Sequence, residues 1–361
     1  MHVVVCGGGV IGASAAFFLS ERGTQVTVIE RCGVACAASG KSGGFLALDW
    51  NDHSPLSALA RRSFALHGEL AGRLDADWGY RRVETLSVAA SARRALADGR
   101  MTDLPDWIGH GAALLGRLGT AETTAQVHPG LFTGALMDAA QNNGARLVIG
   151  SVEGIALSPD GGTATGVVAS GETIAADAVV IAMGPWSVVA AEWLPLPAVY
   201  GLKGQSLIFR PQSPASAHAI FADVETGDGE VLSPEIYPRP DGTIYVCGLS
   251  SEEPLPADPA HVAPDAGRSA RLRAIAGTVA PGLHEAELVA EQACYRPVTR
   301  DGLPLIGPVS GINGAYVATG HSVWGILNAP ATGEALAELI LDGVSNIDLS
   351  AFHPGRPGRT L

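Results

Sequence analysis

Lysine is nearly missing from these 361 residues: Lys41 and Lys203 are the only two, and arginine fills the other positions among 23 basic residues. Acids outnumber bases, 36 to 23, and the net charge of −13 excludes broad binding to nucleic acid or to anionic membranes, which requires basic surface. An arginine-for-lysine bias commonly follows genome composition. Both surviving lysines nevertheless fall in glycine-rich loops, where an ammonium can do what a guanidinium cannot. Long hydrophobic runs are also absent, and none reaches membrane-spanning length. The first apolar strand begins at about His2, leaving no room for a leader, so the expectation is a soluble, cytoplasmic protein. Cysteine is scarce, five and odd in number, with Cys32 and Cys36 the only close pair. No disulfide framework and no metal quartet is expected. What remains is globular: 47% hydrophobic, 16% charged, and long enough for about two domains.

The most informative stretch runs from Val3 to Glu30. Gly7, Gly9 and Gly12 stand in G-x-G-x-x-G spacing between an apolar strand and a helical pattern (Ala13 to Arg22), and a second strand ends on Glu30. Gly7 permits the tight turn, Gly9 lets a pyrophosphate approach the backbone, and Gly12 lets the helix pack closely. The helix N-terminus presents free N–H groups to phosphate. Glu30 lies where a carboxylate accepts from ribose hydroxyls, which favours NAD or FAD over a 2′-phosphorylated nucleotide.

Downstream, Arg31 to Gly44 is a small-residue loop ending SGKSGG, whose hydroxyls, cation and open backbone suit a second ligand-binding loop. Helices are predicted over Ser57 to Leu74, Leu131 to Asn143, Ala266 to Thr278 and Gly333 to Leu341. His128 reads as a cap or buried structural histidine. A buried strand ends at Met183-Gly184-Pro185-Trp186, as at the edge of a doubly wound sheet. EIYPR and TIYVCG form a predicted hairpin about Pro240-Asp241-Gly242, with Glu235, Tyr237 and Arg239 on one face. Glu253 to Pro264 reads as a linker. Arg296, before a Gly/Pro-rich turn, has the fork geometry to clamp a carboxylate. The segment GHSVWGILNAPATG repeats the opening logic of strand, glycine turn and helix start.

Taken together, VVCGGGVIG with Glu30, AASGKSGG, VHP, AMGPWS, RPVTRDGLPLIG and GHSVWGILNAPATG follow one another in the order of a known family. The chain resembles the FAD-dependent amine and amino-acid oxidoreductases of the D-amino-acid oxidase superfamily, especially the glycine oxidase and D-amino-acid dehydrogenase branch. A closer likeness, through SGKSGGFLALDWND and SPEIYPRPDGTIYVCG, is to a branch that includes a yeast oxidoreductase linked to membrane trafficking. The resemblance implies an α/β fold: a GR2-type, Rossmann-like FAD-binding domain (1–80, 130–190 and 298–361) with a mixed antiparallel-sheet substrate domain (81–129 and 191–297).

It also implies roles for individual residues. Gly7, Gly9, Val10, Ile11, Gly12, Glu30 and Arg31 would hold the ADP half of FAD, with the backbone of Val152 at adenine. Ser39, Lys41, Ser42, Gly43 and Gly44 would lie beside the pyrophosphate and ring. Gly184, Trp186, Gly320, His321, Gly325, Ile326 and Leu327 would complete the flavin site, the last helix aiming its positive end at the flavin. Arg296 would pair with the substrate carboxylate, Tyr237 would assist it, and Lys41 or Lys203 would place charge near the flavin for dioxygen. His321 would stand at the catalytic centre. Cys294 occupies the place where sarcosine oxidases tether the flavin; packing of this thiol and non-covalent FAD are expected instead. The expected partners are a small amino-acid or amine substrate and dioxygen or another electron acceptor, with no nucleic acid and an open oligomeric state. The rival readings are a dehydrogenase passing electrons to a quinone, and a flavin-binding trafficking protein with little turnover.

Overall fold

The computed structural model describes residues 1–96 and 103–356. The expected domain ranges therefore include two short stretches, 97–102 and 357–361, that lie outside the described residues. A six-stranded sheet is ordered Leu305–Pro308, Ala315–Thr319, Ala178–Ile181, His2–Cys6, Gln25–Glu30, Arg146–Ile149. Every neighbouring pair is parallel except the first, which is an antiparallel hairpin. The central strands are apolar on both faces, as a sheet covered on both sides requires: Val3, Val4, Val5 and Cys6 are fully buried.

One face is covered by four helices, Val10–Glu21, Ser57–Arg73, Pro129–Asn142 and Gly325–Asp342. The other is covered by a three-stranded sheet of Glu172–Ala175, Ala164–Ala169 and Val152–Leu157. A larger sheet, largely antiparallel, runs Glu287–Thr299, Val199–Arg210, Ile244–Ser251, Glu235–Pro238, His218–Glu225, Glu84–Ser91, Ala113–Gly119. The helix Ala266–Val279 packs on one of its faces, and the predicted hairpin joins Glu235–Pro238 to Ile244–Ser251. Among the described residues no helix is long and apolar enough to cross a membrane.

Two expectations need correction. The last helix begins at Gly325, eight residues before the predicted Gly333, and carries Pro330 inside it. Pro330 has no N–H for the carbonyl of Ile326, and the ring disrupts the turn before it. Two side chains of the Ser57–Arg73 helix repair the damage. His67 Nε2 lies 3.0 Å from the Ile326 carbonyl and 3.2 Å from that of Leu327, and Ser63 Oγ accepts from the Ala331 N–H at 3.0 Å. The second correction concerns cysteine: Cys32 and Cys36 are joined in a disulfide, because the chain after Glu30 curls back on Gly8 and closes a small loop. Cys6, Cys247 and Cys294 are free, so a single local bridge stands where no framework exists.

Candidate active site

The C-terminal ends of five strands of the six-stranded sheet open on one cavity of about 490 Å³, whose far wall is the antiparallel sheet. This is the crevice where open α/β sheets bind ligands. Two helices start at it. Val10–Glu21 and Gly325–Asp342 both lack a side-chain N-cap, and Gly9, Val10, Ile11, Gly325 and Ile326 line the space. Apart from the Val10 N–H, which Ser39 takes up, their first-turn N–H groups and positive dipole ends favour anionic groups at two separated points.

The glycines act through close approach. At Gly7, φ is +114° and an added Cβ would lie 2.4 Å from the Ala182 carbonyl oxygen; at Gly12 it would lie 1.9 Å from that of Gly7. Gly12 therefore sets the helix against the turn and does not itself line the cavity. Glu30 lines it from the end of the second strand, its carboxylate accepting from the N–H groups of Gly8 at 2.6 Å and Cys32 at 3.0 Å. Arg31 is drawn across, donating to Ser151 Oγ at 3.0 Å and to the Ala257 carbonyl at 2.6 Å. Trp186 Nε1 donates to the Pro256 carbonyl at 2.8 Å, so the segment read as a linker supplies Ala257 and Pro259 to the cavity wall. Val152 and Gly184 line the same end.

The loop from Ser39 to Gly44 is strapped to the antiparallel sheet. Ser39 Oγ accepts from the Val10 N–H at 2.9 Å; Tyr245 donates to the Lys41 carbonyl at 3.2 Å, and Arg239 to that of Ser42 at 3.0 Å. Gly43 lies against the Tyr237 ring, where a Cβ would be 2.5 Å away, and Gly44 turns with φ +81° against the Val127 carbonyl. Ser39, Lys41, Ser42 and Gly43 line the cavity. Lys41 reaches it without an acidic partner among the described residues, whereas Lys203 is paired with Glu253 at 2.6 Å and lies away from it. Of the two lysines, only Lys41 remains available to a ligand.

Tyr237 is buried behind Gly43, outside the lining. Its ring is stacked with those of Phe45 and Tyr245, and its hydroxyl donates to Glu235. The tyrosine at the wall is Tyr245. Arg296 is there too, half-buried, with Nη2 donating to Ser250 Oγ at 2.9 Å and no carboxylate partner among the described residues. Gly320 (φ +79°) makes the turn before His321, and Leu327 is in the core. His128 caps its helix, its Nδ1 accepting from the Leu131 N–H at 3.3 Å.

His321 lines the cavity, with Nε2 3.1 Å from Thr332 Oγ1 and Nδ1 without a partner among the described residues. Burial pushes it down to about 3, and pushes His67 down to about 4 against the smaller opposing effect of its two carbonyls. Both are therefore neutral at pH 7, and His321 holds no proton to give as an imidazolium. In the unfolded chain each titrates near 6.5, so their contribution to stability is complete above that pH and is lost on acidification toward 4 and 3. The unfolding free energy from urea titrations is expected to fall from pH 6.5 to 4.5, with a slope on the order of 1.4 kcal/mol per pH unit for each histidine. A flat profile over that window would show the pair to be solvated.

The donor set fits a flavin dinucleotide. Besides the two helix ends and Glu30, the hydroxyl of Ser42 and Nδ1 of His321, on residues that line the cavity, are buried polar atoms without partners among the described residues. Position and motif pointed to the glycines, Glu30 and Arg296; nothing comparable marked Ser206, Cys247 or Glu235, which also line it.

Comparison with known proteins gives a consistent answer. The sequence profile described as FAD dependent oxidoreductase, of the DAO family, matches residues 2–339. An oxidoreductase of Schizosaccharomyces pombe is 32% identical, the match covering 96% of this chain and 97% of that one. Glycine oxidase of Geobacillus kaustophilus is 29% identical over 99% of this chain and 98% of its own. The crystal structure of glycine oxidase from the same organism superimposes with a TM-score of 0.84 at 28% identity, covering 99% of this chain and 98% of the other.

Proposed function

The chain belongs to the FAD-dependent oxidoreductase family, and from that premise we propose that it oxidises the C–N bond of an amino acid or secondary amine carboxylate to an imine, with dioxygen as electron acceptor. The observation that carries this reading is Arg296: a guanidinium on the cavity wall, free of carboxylate partners among the described residues. Gly204 keeps the space beside it open, since a Cβ there would stand 2.9 Å from Nη2.

FAD, when bound, supplies the two-electron acceptor for a hydride from the carbon bearing nitrogen. Arg296 holds the substrate carboxylate through its paired N–H donors and so fixes which hydrogen faces the ring. The nitrogen lone pair forms the C=N bond as the hydride leaves, and water later hydrolyses the imine. His321 is neutral and offers hydrogen-bonding capacity without charge. Glu30 and the start of the Val10–Glu21 helix would hold the ADP portion, and the start of Gly325–Asp342 would turn its positive dipole end to the ring. Lys41 places a cation in the same space for the reduction of dioxygen, which favours an oxidase over a dehydrogenase.

FAD is held without a covalent bond in this reading. Burial pushes the Cys294 thiol up, against the opposing charges of Arg296 and Lys41, and so disfavours the thiolate. Acid precipitation should leave all the yellow colour in the supernatant. The test of function is anaerobic addition of glycine, sarcosine, D-amino acids and L-proline to the holoenzyme, with loss of flavin absorbance expected for at least one. Readmitted oxygen should then restore the colour and give peroxide, more slowly in Lys41→Met. A flavin that no amine bleaches would sink the enzymatic reading.

A further inference from the structure

The antiparallel sheet presents a second charged group to the cavity. Strand pairing sets Ser206 opposite Cys247 and Cys247 opposite Glu235, a row across three strands, all three facing the cavity. Glu235 is only partly exposed, yet the groups that bond it are neutral. Its Oε2 accepts from the Tyr237 hydroxyl and from the Cys247 thiol at 3.5 Å, and no lysine or arginine pairs with it among the described residues. Burial, reinforced by the adjacent carboxylate, pushes both donors up, so both keep their protons at neutral pH. A carboxylate held by two neutral donors in a ligand cavity retains most of its charge for something else.

We propose that Glu235 binds a cationic group of the substrate distal to the carboxylate held by Arg296, so that the preferred substrate is an amino acid or amine carboxylate bearing a second, remote cation. This rests on the role given to Arg296 above. Arg296 pairs with Leu202, and Glu235 lies in the row of Ser206, beyond two intervening strands. On a flat sheet those offsets separate the Cα atoms by roughly 20 Å, which two long side chains leaning inward reduce to roughly 10 Å. That span exceeds the distance between an α-amine and its own carboxylate. It suits a carboxylate and an ammonium or guanidinium joined by several methylenes. The reacting amine then lies between the two anchors, and Glu235 touches neither it nor the hydride path.

The test uses non-reacting probes of the holoenzyme, 6-aminohexanoate and hexanoate, with binding read by calorimetry and by the shift in the flavin spectrum. Wild-type protein is expected to bind 6-aminohexanoate about 10- to 100-fold more tightly than hexanoate. Glu235→Gln, which keeps shape and removes charge, should bring the two affinities together without weakening hexanoate. Equal affinities in the wild type, or a preference that survives in Glu235→Gln, would overturn the assignment. Arg296→Met should weaken both probes alike. If it weakens neither, the carboxylate anchor lies elsewhere and the reading of Arg296 falls, while the ratio of the two probes in Glu235→Gln still decides the role of Glu235.

Discussion

A Gly12→Ala protein is expected to purify without flavin colour and to lose more than about 3 kcal/mol of stability, beyond the usual cost of overpacking one methyl group. The added carbon would stand 1.9 Å from the Gly7 carbonyl oxygen and 3.0 Å from the carbonyl carbon, overlaps with backbone that no rotamer change relieves. Retreat of the helix is blocked on its other side, where Gly333 of the C-terminal helix meets Ser14 so closely that a Cβ there would lie 2.5 Å from the Ser14 carbonyl carbon. Retreat of the Gly7 turn is blocked by Ala182. Relief therefore requires opening the contact between the first and last helices, both of which present their N-termini to the cavity. Flavin content and the urea midpoint together measure the effect. Gly72→Ala is the control: it sits in a helix with nothing within 4 Å of an added Cβ and should be neutral or stabilising by a few tenths of a kcal/mol. A yellow Gly12→Ala protein with an unchanged midpoint would refute this account of the opening motif.

That motif was legible in sequence because all its requirements are local. Glycine spacing, a strand before it and an acid after it lie within one βαβ unit, and the structure places Gly7, Gly9 and Glu30 around one cavity. The hairpin from Glu235 to Ser251 was legible for the same reason, its turn being written in Pro240-Asp241-Gly242. The start of the C-terminal helix was not. Pro330 signals a break, and the groups that compensate it, Ser63 and His67, come from a helix more than 250 residues away in sequence. Tyr237 shows a second kind of limit. Strand alternation correctly put it on the face that bears Glu235, but the Gly43 backbone lies across its ring and Tyr245 takes the place at the wall. Glu235 was visible only as one member of that face. Its significance depends on which charges do not reach it, and a sequence does not record distances between strands that meet only after folding. Lys203 makes the same point in reverse, since its ammonium is engaged by Glu253, from a stretch that looked like a linker.

For Arg296→Met, kcat/KM toward the best amine carboxylate is expected to fall about 10²- to 10³-fold, with flavin content unchanged. Methionine keeps an unbranched apolar stem but has no charge and no paired donors, and loss of a desolvated charge partner for a carboxylate is worth about 2–5 kcal/mol. Flavin binding should survive, because Arg296 belongs to the antiparallel sheet while the glycine turn and both helix starts belong to the parallel one. Arg296→Lys distinguishes charge from geometry. A lysine restores a point charge but not the planar fork, so it should recover affinity more than turnover if the fork orients the substrate, and both equally if only charge matters. Anaerobic reduction rates measured against substrate concentration separate the two, since saturation gives the reduction step and the midpoint gives binding. A residue that merely braces the sheet through Ser250 would instead lower stability or flavin content while leaving the reduction rate of the remaining holoenzyme intact.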